Sequence, residues 1–276
     1  MHNDLLETLP SALVRVGIKT GDVVLIHSDM RALGMPASIS DAKEILPFYL
    51  KTLQEAVGQG GTLAVPAYFY EYARYGTPFD TETSPVSLSL GSFSRYVASL
   101  PDRVRSCNPL QSIAAIGARA HELAGDDSLS GYGVTSPWHR LRMMGGKILF
   151  IGVTIQPMTY VHYIEQQYGV PHMYCKVFQT PVLRAGKQIF GSPVSSVRYL
   201  DFDIEYDLNN FETKLIQHKQ LEIATVGQGT LRCATAQDVF NTGIQCLDAN
   251  PYFFLKHPPA FVPGKIPCDG ATAPKN

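Results

Sequence analysis

Gly145-Gly-Lys-Ile-Leu-Phe-Ile-Gly-Val-Thr-Ile-Gln-Pro-Met-Thr-Tyr-Val-His-Tyr-Ile-Glu165 decides the fold class. An apolar run of strand length, Lys147 to Gly152, passes through a Gly- and Pro-containing loop into a stretch with helical spacing, which is how a βα unit reads in sequence. Three further runs of the same kind lie upstream: Val23 to His27, Thr62 to Pro66 and Ser112 to Ile116. Between the first two, Ile45, Leu46, Phe48, Tyr49, Leu50, Leu53 and Val57 recur at helical intervals, so Ala42 to Val57 is a packed helix that Gly60-Gly61 terminates. The pattern predicts an α/β fold with a mostly parallel central sheet. After Pro171 the character changes. Val177 to Leu183, Gln188 to Phe190, Val197 to Phe202, Glu222 to Val226 and Thr230 to Cys233 read as short strands, with Gly227-Gln228-Gly229 as a hairpin turn. Phe211 to Lys219 and Ala236 to Asn250 read as helices. The expectation is one domain over residues 1–256 with an antiparallel C-terminal extension, followed by a fraying tail at 257–276; a boundary near residue 170 is the alternative.

Composition bounds the function. The 276 residues are 45% hydrophobic and 17% charged, with 23 basic against 24 acidic side chains and a net charge of −1. That balance supplies no positive field for a nucleic-acid backbone. No apolar window reaches the length of a membrane span, and Met1 to Pro10 lacks the basic start and apolar segment of a secretory signal, so a cytoplasmic location is expected. Cys107, Cys175, Cys233, Cys246 and Cys268 are odd in number, without a Cys-x-x-Cys pair, and read as reduced structural thiols. Cys107 has no base assigned by the sequence. The oligomeric state stays open, a homo-oligomer included.

Three segments can carry chemistry. His162 and Glu165 share one helix face if Thr159 begins the helix, and an imidazole beside a carboxylate can act as a general base; a capped helix whose His and Glu face water is the plain alternative. A metal is not expected, because the His-x-x-Glu pair occurs once and the eight histidines are otherwise scattered. The loop after the first strand, His27-Ser-Asp-Met-Arg-Ala-Leu-Gly34, offers backbone amides near the helix of Ser38 to Leu50 and can hold an anion, although it is neither a P-loop nor a dinucleotide fingerprint. Read plainly, Ser28 and Asp29 make a turn and His27 is a core histidine. In Arg103-Val-Arg-Ser-Cys-Asn-Pro-Leu-Gln-Ser112, Arg103 and Arg105 can reach a phosphate, or be surface arginines, while Ser106, Asn108 and Ser112 can hydrogen-bond a polar chain. No Gly-x-Ser-x-Gly elbow is present.

Taken in order, the His-Ser loop after the first strand, Gly61-Thr-Leu-Ala-Val-Pro66, Phe79-Asp80 with Ser84-Pro85, Arg105-Ser-x-x-Pro109, Gly133-x-x-Ser-Pro137 and Thr159-x-x-His-x-x-Glu165 with Pro171 resemble the aminoglycoside 3-N-acetyltransferase family over nearly the whole chain. The resemblance implies a three-layer α/β/α architecture and acyl transfer from acyl-coenzyme A to an amine. It makes His162 the catalytic histidine, Glu165 its partner carboxylate, which orients it or helps to hold the incoming ammonium, and Thr159 a hydroxyl at the helix start for the oxyanion. It places the donor against Ser28, Asp29, Met30, Arg31 and Gly34, with Arg105 and Ser106 beside it. Two departures stand out: Asn108 where the family usually has His, and Asp29-Met30 where it usually has Ser followed by Leu or Met. Asn cannot titrate near neutrality, so only a hydrogen-bonding role survives at 108.

For the acceptor, the near-neutral charge and the interleaved aromatics of Tyr68-Phe-Tyr-Glu-Tyr-Ala-Arg-Tyr75 favour a nucleotide-linked amino sugar of surface-polysaccharide (O-antigen) biosynthesis, with Tyr68, Tyr70, Arg74 and Asn108 as contacts. The alternatives are an aminoglycoside acceptor, as in antibiotic resistance, or a non-catalytic coenzyme A-binding protein; equally, the tyrosines simply pack a loop.

Overall fold

Strand β1 lies at the centre of a seven-stranded sheet because Val23 to Ile26 are apolar on both faces, as a strand with neighbours on each side and cover above and below requires. The computed structural model describes residues 5–36, 39–125, 128–262 and 264–265. In chain order its first half runs α1 (Leu5–Arg15), β1 (Val23–Ser28), α2 (Ile45–Val57), β2 (Thr62–Pro66), α3 (Glu71–Tyr75), β3 (Phe79–Asp80), α4 (Gly91–Ala98), β4 (Val104–Arg105), β5 (Ile113–Gly117), α5 (Ala120–Ala124) and α6 (Pro137–Met143). The second half runs β6 (Lys147–Ile151), α7 (Tyr160–Tyr168), β7 (Met173–Val177), β8 (Val182–Arg184), β9 (Lys187–Phe190), β10 (Val194–Arg198), α8 (Asn209–Gln217), β11 (Glu222–Val226), β12 (Gly229–Thr235) and α9 (Ala236–Ala249).

The sheet order is β11-β12-β6-β1-β2-β5-β4. Its parallel pairing is confined to the centre, where Leu25 on β1 faces Ile148 on β6 and Ala64 on β2. Both flanks are antiparallel, which corrects the expectation of a mostly parallel sheet. On one side β5 returns against β2; on the other, the β11–β12 hairpin turns at Gly227 and lays β12 against β6. A two-stranded sheet, β10-β7, and a three-stranded one, β3-β8-β9, stand apart from it.

Alternate residues of the central strands enter two different apolar clusters. Val23, Leu25, Ile148 and Phe150 pack with side chains of α5 to α9, among them Trp138, Tyr160, Ile164 and Phe211. Val24, Ile26, Leu149 and Ile151 pack with Leu9 and Leu13 of α1, Leu53 of α2 and Phe93 of α4. This period of two is what a sheet covered on both faces produces. The expected helix at Ala42 to Val57 begins as a 3-10 turn, Ala42–Glu44, before α2; part of its expected approach, at Ser38, lies outside the described residues. Among the described residues no helix is long and apolar enough to cross a membrane. Cys107, Cys175, Cys233 and Cys246 are not joined in disulfides, and Cys268 lies outside the described residues.

Candidate active site

The site is assembled at the C-terminal ends of β1 and β6, where open α/β sheets place ligands. After β1 the chain turns through a short 3-10 helix, Met30–Leu33, whose first amides are organised by Asp29: its Oδ1 accepts from the Arg31 amide at 3.2 Å. The turn after β6 packs directly against this one. Gly152 has φ +69, and a Cβ there would lie 2.3 Å from the Asp29 carbonyl oxygen, so only glycine allows the approach.

Two clefts flank these turns. The first, of about 570 Å³, is lined by His27, Ser28, Asp29, Met30 and Arg31, by Gly91, Ser92 and Arg95 at the start of α4, and by Val153, Pro157 and Thr159. Its size falls within the range of ordinary ligand sites. His27 forms part of its floor, stacked on Phe150 at 5.4 Å, and its Nε2 is buried without a hydrogen-bond partner. Burial pushes the His27 pKa down to about 3, so the ring is neutral and can exchange a hydrogen bond with a polar chain laid in the cleft. An unpartnered buried nitrogen, a turn of backbone amides and Arg95 suit a long, phosphate-bearing donor such as coenzyme A.

The second cavity, of about 360 Å³, is lined by Tyr68, Tyr70, Arg74, Gln111, Tyr132, Thr159, His162, Lys176, Phe178, Arg198 and Tyr206, among others. Thr159 is the residue that both clefts share. It stands at the N-terminal end of α7, yet its side chain does not cap the helix. Its Oγ1 is buried without a partner of good geometry, as is the Tyr68 hydroxyl beside it. Burial, reinforced by Tyr132 and Tyr70, holds the Tyr68 phenol well above its ordinary pKa, so that hydroxyl remains a donor.

One turn into α7, His162 Nδ1 donates to Glu165 Oε2 at 2.8 Å. Glu165 is fully buried and accepts two more hydrogen bonds, from His172 Nε2 at 2.9 Å to Oε1 and from the Tyr206 hydroxyl at 3.0 Å to Oε2. Burial alone would raise its pKa; the hydrogen bonds from His162 and His172 outweigh it and hold the group below the usual carboxylate range. An ionised carboxylate can only accept, so Nδ1 of His162 carries the proton and Nε2 is the basic nitrogen. This is the arrangement that an oriented general base with a deprotonated partner requires.

The structure sorts the expected residues. Ser28, Asp29, Met30 and Arg31 line the first cleft, although the Arg31 guanidinium is taken up by Asp29 at 3.0 and 3.1 Å. Gly34 shapes the turn, donating its amide to the Arg31 carbonyl, and lines neither cleft. Tyr68, Tyr70, Arg74, Thr159 and His162 line the cavity. Glu165 does not: fully buried behind His162, it orients the base and cannot meet an incoming ammonium.

Three expectations fail. Arg105 is 5% exposed and donates to the carbonyls of Ala67, Ser84 and Pro85, with its guanidinium 4.7 Å over the Phe79 ring, so it is spent on the fold and reaches no phosphate. The Ser106 hydroxyl accepts from the Ile113 amide at the start of β5. Asn108 is buried too: its Oδ1 accepts from the Leu110 amide and the Ser195 hydroxyl and its Nδ2 donates to the Val194 carbonyl, which fastens β10, and the residue lines neither cleft. In the other direction, sequence reasoning missed Arg95, His172, Lys176, Arg198 and Tyr206. Among the described residues there is no group of three or more His, Cys, Asp or Glu side chains placed to hold a metal ion.

Comparison with known proteins gives the family. The family model described as aminoglycoside 3-N-acetyltransferase matches residues 25–248. Aminoglycoside N(3)-acetyltransferase IV of Salmonella sp is 30% identical over 253 residues, covering 90% of this chain and 88% of its own. Among solved structures, the sisomicin-bound AAC-VIa is 25% identical with a TM-score of 0.74, over 88% of this chain and 97% of its own. AAC-IIIb, in its binary complex with CoASH, shares the fold with a TM-score of 0.74 at 22% identity, over 92% and 98% of the two chains. The chain belongs to the aminoglycoside 3-N-acetyltransferase family, and with that to the acyl-coenzyme-A-dependent N-acyltransferases.

Proposed function

We propose that this protein transfers an acetyl group from acetyl-coenzyme A to a primary amine of an amino sugar. One observation carries the reading: two clefts meet at Thr159, one turn of helix before a histidine whose Nδ1 is fixed by a buried carboxylate. His162 Nε2 takes the proton that the ammonium must lose before its nitrogen can attack a thioester carbonyl. The Thr159 and Tyr68 hydroxyls are the donors for the tetrahedral oxyanion. The imidazolium then returns the proton to the departing thiolate, and Glu165 steadies its charge without touching either substrate. Ser28, Met30, Arg31 and Arg95 form the donor cleft, with Arg95 the arginine placed for a phosphate.

The framework we infer is a single three-layer α/β/α domain over residues 1–256 with 257–276 as a tail, supported by the two core clusters on opposite faces of the central sheet. The relatives reported above are named for aminoglycosides, which makes an aminoglycoside amine the first acceptor to try. They lend no support to a nucleotide-linked acceptor or to O-antigen biosynthesis. Oriented His162 and ionised Glu165 speak against a non-catalytic binding protein.

The test is release of coenzyme A thiol from acetyl-coenzyme A across a panel of aminoglycosides and simpler amino sugars, with His162→Ala as control. Amine-dependent release that the variant loses supports the reading. Absence of release with every amine, in a protein that still binds coenzyme A, overturns it.

A further inference from the structure

Tyr206 lies between β10 and α8, and its backbone is tied down on both sides. Gln156 Nε2 donates to its carbonyl at 2.9 Å, Gln156 Oε1 accepts from the Leu208 amide at 3.0 Å, and the next residue, Asp207, donates its amide to the Phe254 carbonyl at 2.9 Å. The ring held in this way stands edge-on to His162, with ring centres 4.8 Å apart and planes at 81°. Its hydroxyl donates to Glu165 Oε2 at 3.0 Å, the same oxygen to which His162 Nδ1 donates at 2.8 Å.

The same residue borders two spaces. One is the acceptor cavity of about 360 Å³; the other, of about 230 Å³, extends toward Gln156, Met158 and Leu208. Thr159, His162 and Tyr206 are the residues that the two spaces have in common. Of the three donors to Glu165, His172 lines neither space, whereas His162 and Tyr206 line both. Tyr206 therefore joins the wall of the reacting region to the carboxylate behind the base. A phenol that donates to a buried carboxylate fixes which way that carboxylate faces, because an ionised oxygen can only accept. A planar ring between two spaces limits the volume that an acceptor can fill while its amine reaches His162 Nε2.

We propose that Tyr206 is a positioning and specificity-determining residue of this site: its hydroxyl orients the His162–Glu165 pair, and its ring divides the two spaces beside His162 and so sets how large an acceptor is accommodated. The inference rests on the acetyl-transfer reading of the site and narrows which amino sugars it favours. The two roles belong to different atoms of one side chain, so different substitutions separate them.

The experiment compares wild type, Tyr206→Phe and Tyr206→Ala as full-length proteins, with saturating acetyl-coenzyme A and amino-sugar acceptors of one, two, three and four rings. Tyr206→Phe keeps the ring and loses the donor. Its kcat should fall about tenfold, the worth of one hydrogen bond to a charged group, while the KM of each acceptor and the order of preference among them stay as in wild type. The acid limb of its kcat/KM profile should move to higher pH, because a carboxylate short of one donor holds a proton, its own or that of the imidazolium, more tightly. Tyr206→Ala removes the ring as well and joins the two spaces. Measured against Tyr206→Phe, which shares the lost hydroxyl, it should favour three- and four-ring acceptors over one-ring ones by about tenfold more in kcat/KM.

Thermal melts establish that each variant is folded, and Tyr206→Leu, which keeps apolar cover over the His162 ring, takes the place of Tyr206→Ala if the alanine variant is not. A Tyr206→Phe enzyme with wild-type kcat and an unchanged pH profile overturns the positioning role. The same ring-size preference in Tyr206→Phe and in the variant without the ring overturns the division of the two spaces. A merely structural role would lower the melting temperature and leave both the profile and the preference where they were, which also defeats the proposal. Absence of amine-dependent thiol release in the wild type, by contrast, would strike at the acetyl-transfer reading itself.

Discussion

His172 Nε2 lies 2.9 Å from Glu165 Oε1, the carboxylate oxygen that His162 leaves free. The proposed general base therefore depends on a residue that lines neither of the two clefts. His172→Phe removes a donor from a buried carboxylate, so the Glu165 pKa should rise and the carboxylate should take up its proton, and with it lose its fixed acceptor role toward His162, at a higher pH. We expect kcat to fall with little change in the KM for acetyl-coenzyme A, and the acid limb of the kcat/KM profile to move to higher pH. His172→Gln, which keeps a donor, should recover part of both. An unchanged pH profile in His172→Phe would dismiss the positioning role.

Replacing His162 by Ala should lower kcat by about 10²- to 10⁴-fold, the usual worth of a general base. Binding of coenzyme A, followed by calorimetry, should stay within a few-fold of wild type, since His162 lines the acceptor cavity and not the donor cleft. Near-normal turnover at neutral pH would remove it from the mechanism.

Tyr68→Phe deletes one hydroxyl from the junction of the clefts. If that hydroxyl meets the oxyanion, kcat should drop by about 10²- to 10³-fold with KM values nearly constant. A rise in acceptor KM at unchanged kcat would instead make Tyr68 a binding contact.

The two arginines should behave oppositely. Arg95→Ala should weaken coenzyme A binding and leave the melting temperature close to wild type, because the side chain lines the donor cleft. Arg105→Ala strands three carbonyls under a buried ring and should cost about 3 kcal/mol of stability or more, read by denaturant unfolding, while the folded fraction binds coenzyme A normally.

His27 should make the fold acid-sensitive. Its pKa is about 3 in the folded protein against 6.5 in the unfolded chain, so between those values the unfolded state binds the extra proton. Stability should fall as pH drops from about 6.5 toward 3, and His27→Gln should flatten that slope in thermal melts without donor. A parallel pH dependence in both proteins would count against it.

What the sequence displayed was whatever short-range pattern controls. The four central strands were legible because their residues are apolar on both faces, and the His162–Glu165 pair because three residues on a helix place two side chains side by side. Helix α1 was hidden by Pro10 within it. Val177 to Leu183 looked like one strand, but the chain stops pairing after Val177 and resumes at Val182, past Pro181, which has no amide to donate. Val197 to Phe202 was read too late: pairing covers Val194–Arg198, and Phe202 and Asp203 turn away at φ +71 and +47. His172 and Tyr206, 7 and 41 residues beyond Glu165, come to it only through the tertiary fold, and no local spacing announces them. Arg105 and Asn108 carried a chemistry that the fold consumes in its own hydrogen bonds.

The meeting of the two clefts at Thr159 also governs the order in which molecules come and go. Each partner has its own wall of residues, so neither must leave before the other enters, and the acetyl group can pass directly from one side to the other. Initial-rate plots at varied concentrations of both should intersect rather than run parallel. A single compound that spans the junction, with an amino sugar tethered to the sulfur of coenzyme A, would occupy both sides at once and bind with the combined advantage of its halves.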